Sequence, residues 1–139
     1  IMLELSEDGK SVTEKWIDRT LDNHHHGVVL IDGYIYGSNW YNNRLGNWVC
    51  LDWETGEVKW VKEWDTKGVV VAADDMLYLY SEKKGLIGLV KPNKKEFNLI
   101  SSFKLEEGSG AHWAHPFIKD GKLFMRHGDA LVVFDISEE

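Results

Sequence analysis

The chain has one cysteine, two prolines and no apolar run longer than about six residues. With Cys50 alone, an internal disulfide is excluded and the redox compartment stays open. The longest apolar stretches, such as Gly68 to Ala73, fall far short of a membrane span. Basic residues number 16 against 23 acidic ones, a formal charge of −7, and they group mostly as Lys83-Lys84 and Lys94-Lys95. A nucleic-acid groove is therefore not expected. Glycine-rich phosphate loops, zinc-protease helix motifs and Gly-x-Ser-x-Gly elbows are missing, and helical periodicity is scarce. The chain opens on Ile1 and runs straight into a strand-like stretch, so either a leader has been removed or the chain is a segment of a longer protein, the expectation that the repeat below favours.

What is present is β pattern, with thirteen glycines, seven tryptophans and five tyrosines in 139 residues. Val28-Val29-Leu30-Ile31 meets Asp32-Gly33 and continues as Tyr34-Ile35-Tyr36. Pro116-Phe117-Ile118 meets Asp120-Gly121 and continues as Lys122-Leu123-Phe124-Met125. Asp-Gly between two such runs predicts a hairpin, because the type I′ turn needs positive φ at both central residues. Val69-Val70-Val71, Asp74-Asp75 and Leu77-Tyr78-Leu79-Tyr80 repeat the plan with a weaker turn pair.

A second hairpin alternates with the first. It reads Val49 to Trp53, a turn through Glu54-Thr55-Gly56-Glu57, and Val58 to Val61. The opening residues follow the same plan around Gly9, and a third copy spans Ile87 to Ile100 with a lysine-rich turn. A fourth begins at Leu131. Four short antiparallel strands per 42–47 residues is the signature of β-propeller blades. The expected fold is all-β, a propeller fragment of about three four-stranded blades forming one segment over 1–139. It divides into a partial blade (1–22), two blades (23–66 and 67–108) and a partial blade (109–139). A β-sandwich is the alternative.

The stretch Leu51-Asp52-Trp53-Glu54-Thr55-Gly56-Glu57-Val58-Lys59-Trp60 resembles the repeat of quinoprotein-type, PQQ-like propellers, with its Asp-x-x-Thr-Gly-x-x-x-Trp core. Asn23 to Gly27, Gly110 to Pro116 and Arg126 to Asp129 are similar to the C-terminal part of a bacterial group within that family, often labelled putative polyvinyl-alcohol dehydrogenases. The resemblance implies that Trp60, and Trp16 in the opening half-repeat, dock between blades, with Phe103 in the same role in the third repeat. It also implies a periplasmic or secreted location, and PQQ with calcium if the chain is an alcohol dehydrogenase. The residues themselves demonstrate no cofactor: there is no Cys-Cys pair, and no tight Asp/Asn/Glu cluster reads as a calcium site.

Five of the six histidines lie in two matched places, each leading into the first strand of a blade. His24, His25 and His26 precede one; His112 and His115, flanking Trp113, precede the other. In a propeller these segments would gather near the axis, bringing imidazoles of two adjacent blades together. Arg126 and His127 follow the second strand of the last blade. These eight residues form the candidate ligand pocket, and His24, His26, His112 and His115 the candidate metal set. Consecutive histidines cannot all face one way, so at most two of His24 to His26 share a site. The bland reading gives all of them structural roles.

The loop Trp40-Tyr41-Asn42-Asn43-Arg44 reads as ordered and packed against Trp48, with stacking on a sugar as the alternative. Open blade edges predict self-association, with a homodimer as the simplest form. The leading functional expectation is a ligand- or protein-binding module taking a small molecule or carbohydrate. The alternatives are a PQQ-dependent alcohol dehydrogenase and a metal-dependent, carbohydrate-active propeller enzyme. No catalytic residue is assigned.

Overall fold

The computed structural model describes residues 1–137, and among them the backbone forms thirteen strands and no helix. A two-stranded sheet holds β1 (Met2–Leu5) and β2 (Val12–Trp16). The first four-stranded sheet holds β3 (Val29–Ile31), β4 (Tyr34–Ser38), β5 (Trp48–Asp52) and β6 (Val58–Lys62). The second holds β7 (Gly68–Ala73), β8 (Met76–Ser81), β9 (Leu86–Lys91) and β10 (Asn98–Lys104). A three-stranded sheet holds β11 (Phe117–Lys119), β12 (Lys122–His127) and β13 (Ala130–Asp135). All pairs are antiparallel, and strand order follows chain order throughout. The acidic end, Glu138-Glu139, lies outside the described residues.

The turn residues explain the first hairpin of each sheet. Asp32 and Gly33 take φ of 49° and 78°, and Asp120 and Gly121 take 50° and 68°. Asp74 and Asp75, at 51° and 58°, reach the same left-handed pair without glycine, a region where Asp is tolerated better than bulkier residues.

Alternation along the strands gives the central sheets two apolar faces, and the core lies between sheets. Ile35, Val49 and Leu51 pack toward Trp16 and Leu21 on one face of β3–β6. Tyr36, Trp48 and Cys50 on the other face meet Val70, Leu77, Leu79 and Val90 of β7–β10. Tyr80 and Ile87 then meet Leu123 and Met125 of β11–β13. The sheets therefore stack in chain order, each face burying a Val/Leu/Ile/aromatic layer worth about 1.5–3 kcal/mol per fully buried side chain.

Three aromatic residues cross from the last strand of one sheet to the next. Trp16 of β2 donates its Nε1–H to the Trp53 carbonyl at 3.0 Å and lies on Gly56, where a Cβ would come within 2.6 Å of the indole. Trp60 of β6 donates to the Asn93 carbonyl at 2.7 Å. Phe103 of β10 meets Phe134 of β13 edge-on at 4.9 Å.

The first strands converge, with β7 lying against β3, β4 and β11. At that junction the Ser38 hydroxyl donates to the Gly68 carbonyl at 2.7 Å and accepts the Gly68 N–H at 3.1 Å. A Cβ on Gly68 would stand 1.9 Å from the Tyr80 carbonyl oxygen, so only glycine fits there.

Candidate functional site

The hairpin topology puts the segment before each sheet's first strand at the same end as the residues after its second strand, opposite the Asp-Gly and Asp-Asp turns. At this end lies a cavity of about 490 Å³ lined by His24, His25, Asn43, Lys67, Glu82 and Trp113. A second cavity of about 360 Å³ shares Asn43, Glu82 and Trp113 and adds Arg44, Lys83 and His112.

The register of β7 and β8 builds the floor. Gly68 pairs with Ser81, so the next residues outward, Lys67 and Glu82, stand opposite each other, joined by a backbone hydrogen bond from Glu82 to Lys67 at 3.1 Å. Their side chains form an ion pair, and Lys67, only 1% exposed, also donates to the Asn42 carbonyl at 3.0 Å. The second carboxylate oxygen of Glu82 lies 3.3 Å from His26 Nε2 and 3.9 Å from His25 Nε2.

His26 is buried, with its ring 5.7 Å from that of the exposed His115. Burial holds its imidazole down to about 4, against the pull of the Glu82 carboxylate. Burial also lowers His25, helped by His24, whose Nδ1 is 2.8 Å from His25 Nδ1. His24 rests against Trp40 at 5.6 Å, and His25 faces the edge of Trp113 at 6.3 Å. Trp113 is 62% exposed. Two buried nitrogens here, His26 Nδ1 and Trp40 Nε1, have no hydrogen-bond partner among the described residues, a cost of about 1–3 kcal/mol each.

The structure thus brings His24, His25, His26, Trp113 and His115 together, but across sheets that are not neighbours. Sheet β7–β10 stands between them and contributes Lys67 and Glu82, which the histidine pattern does not reveal. His112 and His127 form a second, buried cluster, of which His112 also lines the smaller cavity. His112 Nδ1 bonds the Tyr80 hydroxyl at 2.7 Å, and its ring stacks on His127 at 3.7 Å. Burial and the neighbouring His127 lower His112, and burial pushes Tyr80 up to about 12. Gly85, at φ 67°, makes room, since a Cβ there would meet the His112 ring at 2.4 Å. His127 sits 2.7 Å from the Glu107 carbonyl and 3.0 Å from that of Gly110. These contacts anchor both sides of the Gly108 to Trp113 segment and present Trp113 to solvent. Arg126 joins neither cluster: its Nε donates to the Gly128 carbonyl at 3.0 Å.

The candidate metal set His24, His26, His112 and His115 is therefore not assembled, because Tyr80 and His127 hold His112 away. Among the described residues the grouping compact enough for one ion is His25, His26 and Glu82. The loop at Trp40 closes as a turn in which Asn42 Oδ1 accepts the Arg44 and Leu45 N–H groups, leaving Tyr41 exposed. Trp48 packs instead on Trp64, donating to its carbonyl at 3.1 Å. No helix among the described residues is long and apolar enough to cross a membrane. No protein-family model matches the chain, and no curated protein matches it at a significant level.

Proposed function

We propose that this chain is part of a PQQ-like β-propeller and acts as a ligand-binding module whose cleft takes a saccharide against Trp113. The propeller reading is supported by stacked four-stranded meanders, convergence of β3, β7 and β11, and aromatic residues crossing from each sheet to the next. A periplasmic or secreted location goes with the same resemblance. The observation that carries the binding reading is one large exposed indole held by a rigid anchor at the mouth of a cavity to which imidazole, amide and charged side chains contribute. Flat aromatic faces with nearby amides and imidazoles suit the apolar face and hydroxyls of a sugar ring.

The test is calorimetric titration with cellotetraose and its C6-oxidised, glucuronate form. Trp113→Ala should weaken binding of whichever sugar is taken by about tenfold, the scale of one lost aromatic contact. Absence of binding by both sugars and by the 6-sulfated form as well, or unchanged affinity in the variant, would sink the reading.

The residues around the cleft do not fit the quinone–calcium pair that the family resemblance implies. Calcium takes six to eight oxygen ligands, whereas the single lining carboxylate, Glu82, already pairs with Lys67. The same ion pair weakens a metal-dependent reading of His25, His26 and Glu82, because its carboxylate is neutralised in place.

We also propose self-association with a second copy of this chain. Phe117, Leu131 and Val133 are exposed on the last sheet, and Leu3, Leu5 and Val12 on the first. Such apolar sheet surfaces with unpaired edges favour pairing. Sedimentation should show a concentration-dependent dimer that Leu131→Lys with Val133→Lys dissociates; a monomer at all concentrations would overturn it.

A further inference from the structure

We propose that the saccharide taken by this cleft is acidic, with its carboxylate or sulfate held by Arg44 and Lys83. The proposal rests on the saccharide reading above and adds the charge of the ligand. It starts from a mismatch between the whole molecule and this surface. The chain carries a formal charge of −7, yet the two cavities that meet at Trp113 collect Arg44, Lys67, Lys83, His24 and His25 against the single carboxylate of Glu82.

That carboxylate is spent. Glu82 is paired with the buried Lys67, so the two cancel and leave the floor neutral. Arg44 and Lys83 stand on the outer wall, both exposed, and neither forms an ion pair among the described residues. Nearby Lys84, by contrast, is paired with Asp65 at 3.0 Å. Two unpaired cations therefore face a shared cavity beside an exposed indole, on a protein of negative net charge.

The chemistry that satisfies both features is a ring with an apolar face for Trp113 and an anionic substituent for the cations. A guanidinium presents a planar fork that matches carboxylate and sulfate oxygens. Asn43, which lines both cavities, adds an amide able to serve ring hydroxyls. A neutral sugar would leave Arg44 and Lys83 unused, and an anion without an apolar face would leave Trp113 unused.

Cellotetraose, its C6-oxidised form and its 6-sulfated form share one backbone and differ only in charge and its carrier. At low ionic strength the oxidised or the sulfated sugar should bind about tenfold more tightly than the neutral one, the scale of one to two charge-assisted hydrogen bonds at an exposed site. The gain should shrink between 20 and 500 mM salt, roughly as the screening length falls below the contact distance of the second charge. The variant Arg44→Gln with Lys83→Gln, checked for native circular dichroism, should collapse the difference between charged and neutral sugars. Tighter binding by the sulfated sugar alone supports the proposal with sulfate as the anion. Equal affinity for all three sugars, or a preference that survives the double variant, overturns the proposal while the saccharide reading stands. Failure of all three to bind overturns both.

Discussion

Glu82→Ala should destabilise the protein by about 3–5 kcal/mol, measured by urea unfolding at pH 7.5. The reason is the ammonium it abandons. Lys67 is 1% exposed and keeps only the Asn42 carbonyl once the carboxylate is gone. Water reaches it only through the cleft, and an uncompensated charge in so buried a position costs far more than an exposed one. The variant Lys67→Met with Glu82→Gln should recover most of the loss, since the buried charge is removed and the amide oxygen can still accept from His26. A single-variant loss under about 1 kcal/mol would show that the ion pair does not support the sheet junction. Because Lys67 and Glu82 also floor the cleft, the Ala variant should lose ligand binding even where it remains folded.

That ion pair was readable in principle. The Asp74-Asp75 turn sets the hairpin, and counting outward from it places Lys67 opposite Glu82 one step beyond Gly68 and Ser81. Opposite charges directly across an antiparallel pair are a cross-strand signal. Taken singly, each looks like an ordinary solvated charge, and neither carries the signal that clustered histidines do. The strands themselves were plain, because alternation and turn chemistry are local properties. Sorting the histidines was not, because it depends on what arrives from other sheets. His112, on the wall of the smaller cavity, turns its Nδ1 to the Tyr80 hydroxyl, in a gap that Gly85 leaves open. His26 turns inward to Glu82, whereas His24 and His25 stay at the surface. Neither outcome has a periodicity to announce it.

Lowering the pH from 7 to 4.5 should cost the protein stability well before its carboxylates titrate. His26 is 7% exposed, and burial holds its imidazole down to about 4 against an ordinary 6.5. Between those values the unfolded chain binds a proton that the folded chain refuses. Stability is therefore complete above about pH 6.5 and falls as pH drops toward 4, by at most about 3 kcal/mol for this one group and less by the screening that the open cleft allows. His25 and His112, also lowered, act in the same direction. Asp8, Asp52 and Asp135 are lowered by hydrogen bonds to turn and strand-end groups, and their contribution disappears only below their ordinary 3.8. The two windows overlap only below about pH 5. Urea unfolding at half-unit steps from pH 7.5 to 4.5 should show the slope of at least one proton, and His26→Gln, which can still donate to Glu82 but cannot titrate, should remove about one proton of it. A flat profile in the parent, or an equal slope in the variant, would mean that His26 takes up its proton in the folded state and that the Glu82 carboxylate outweighs burial at the cleft floor.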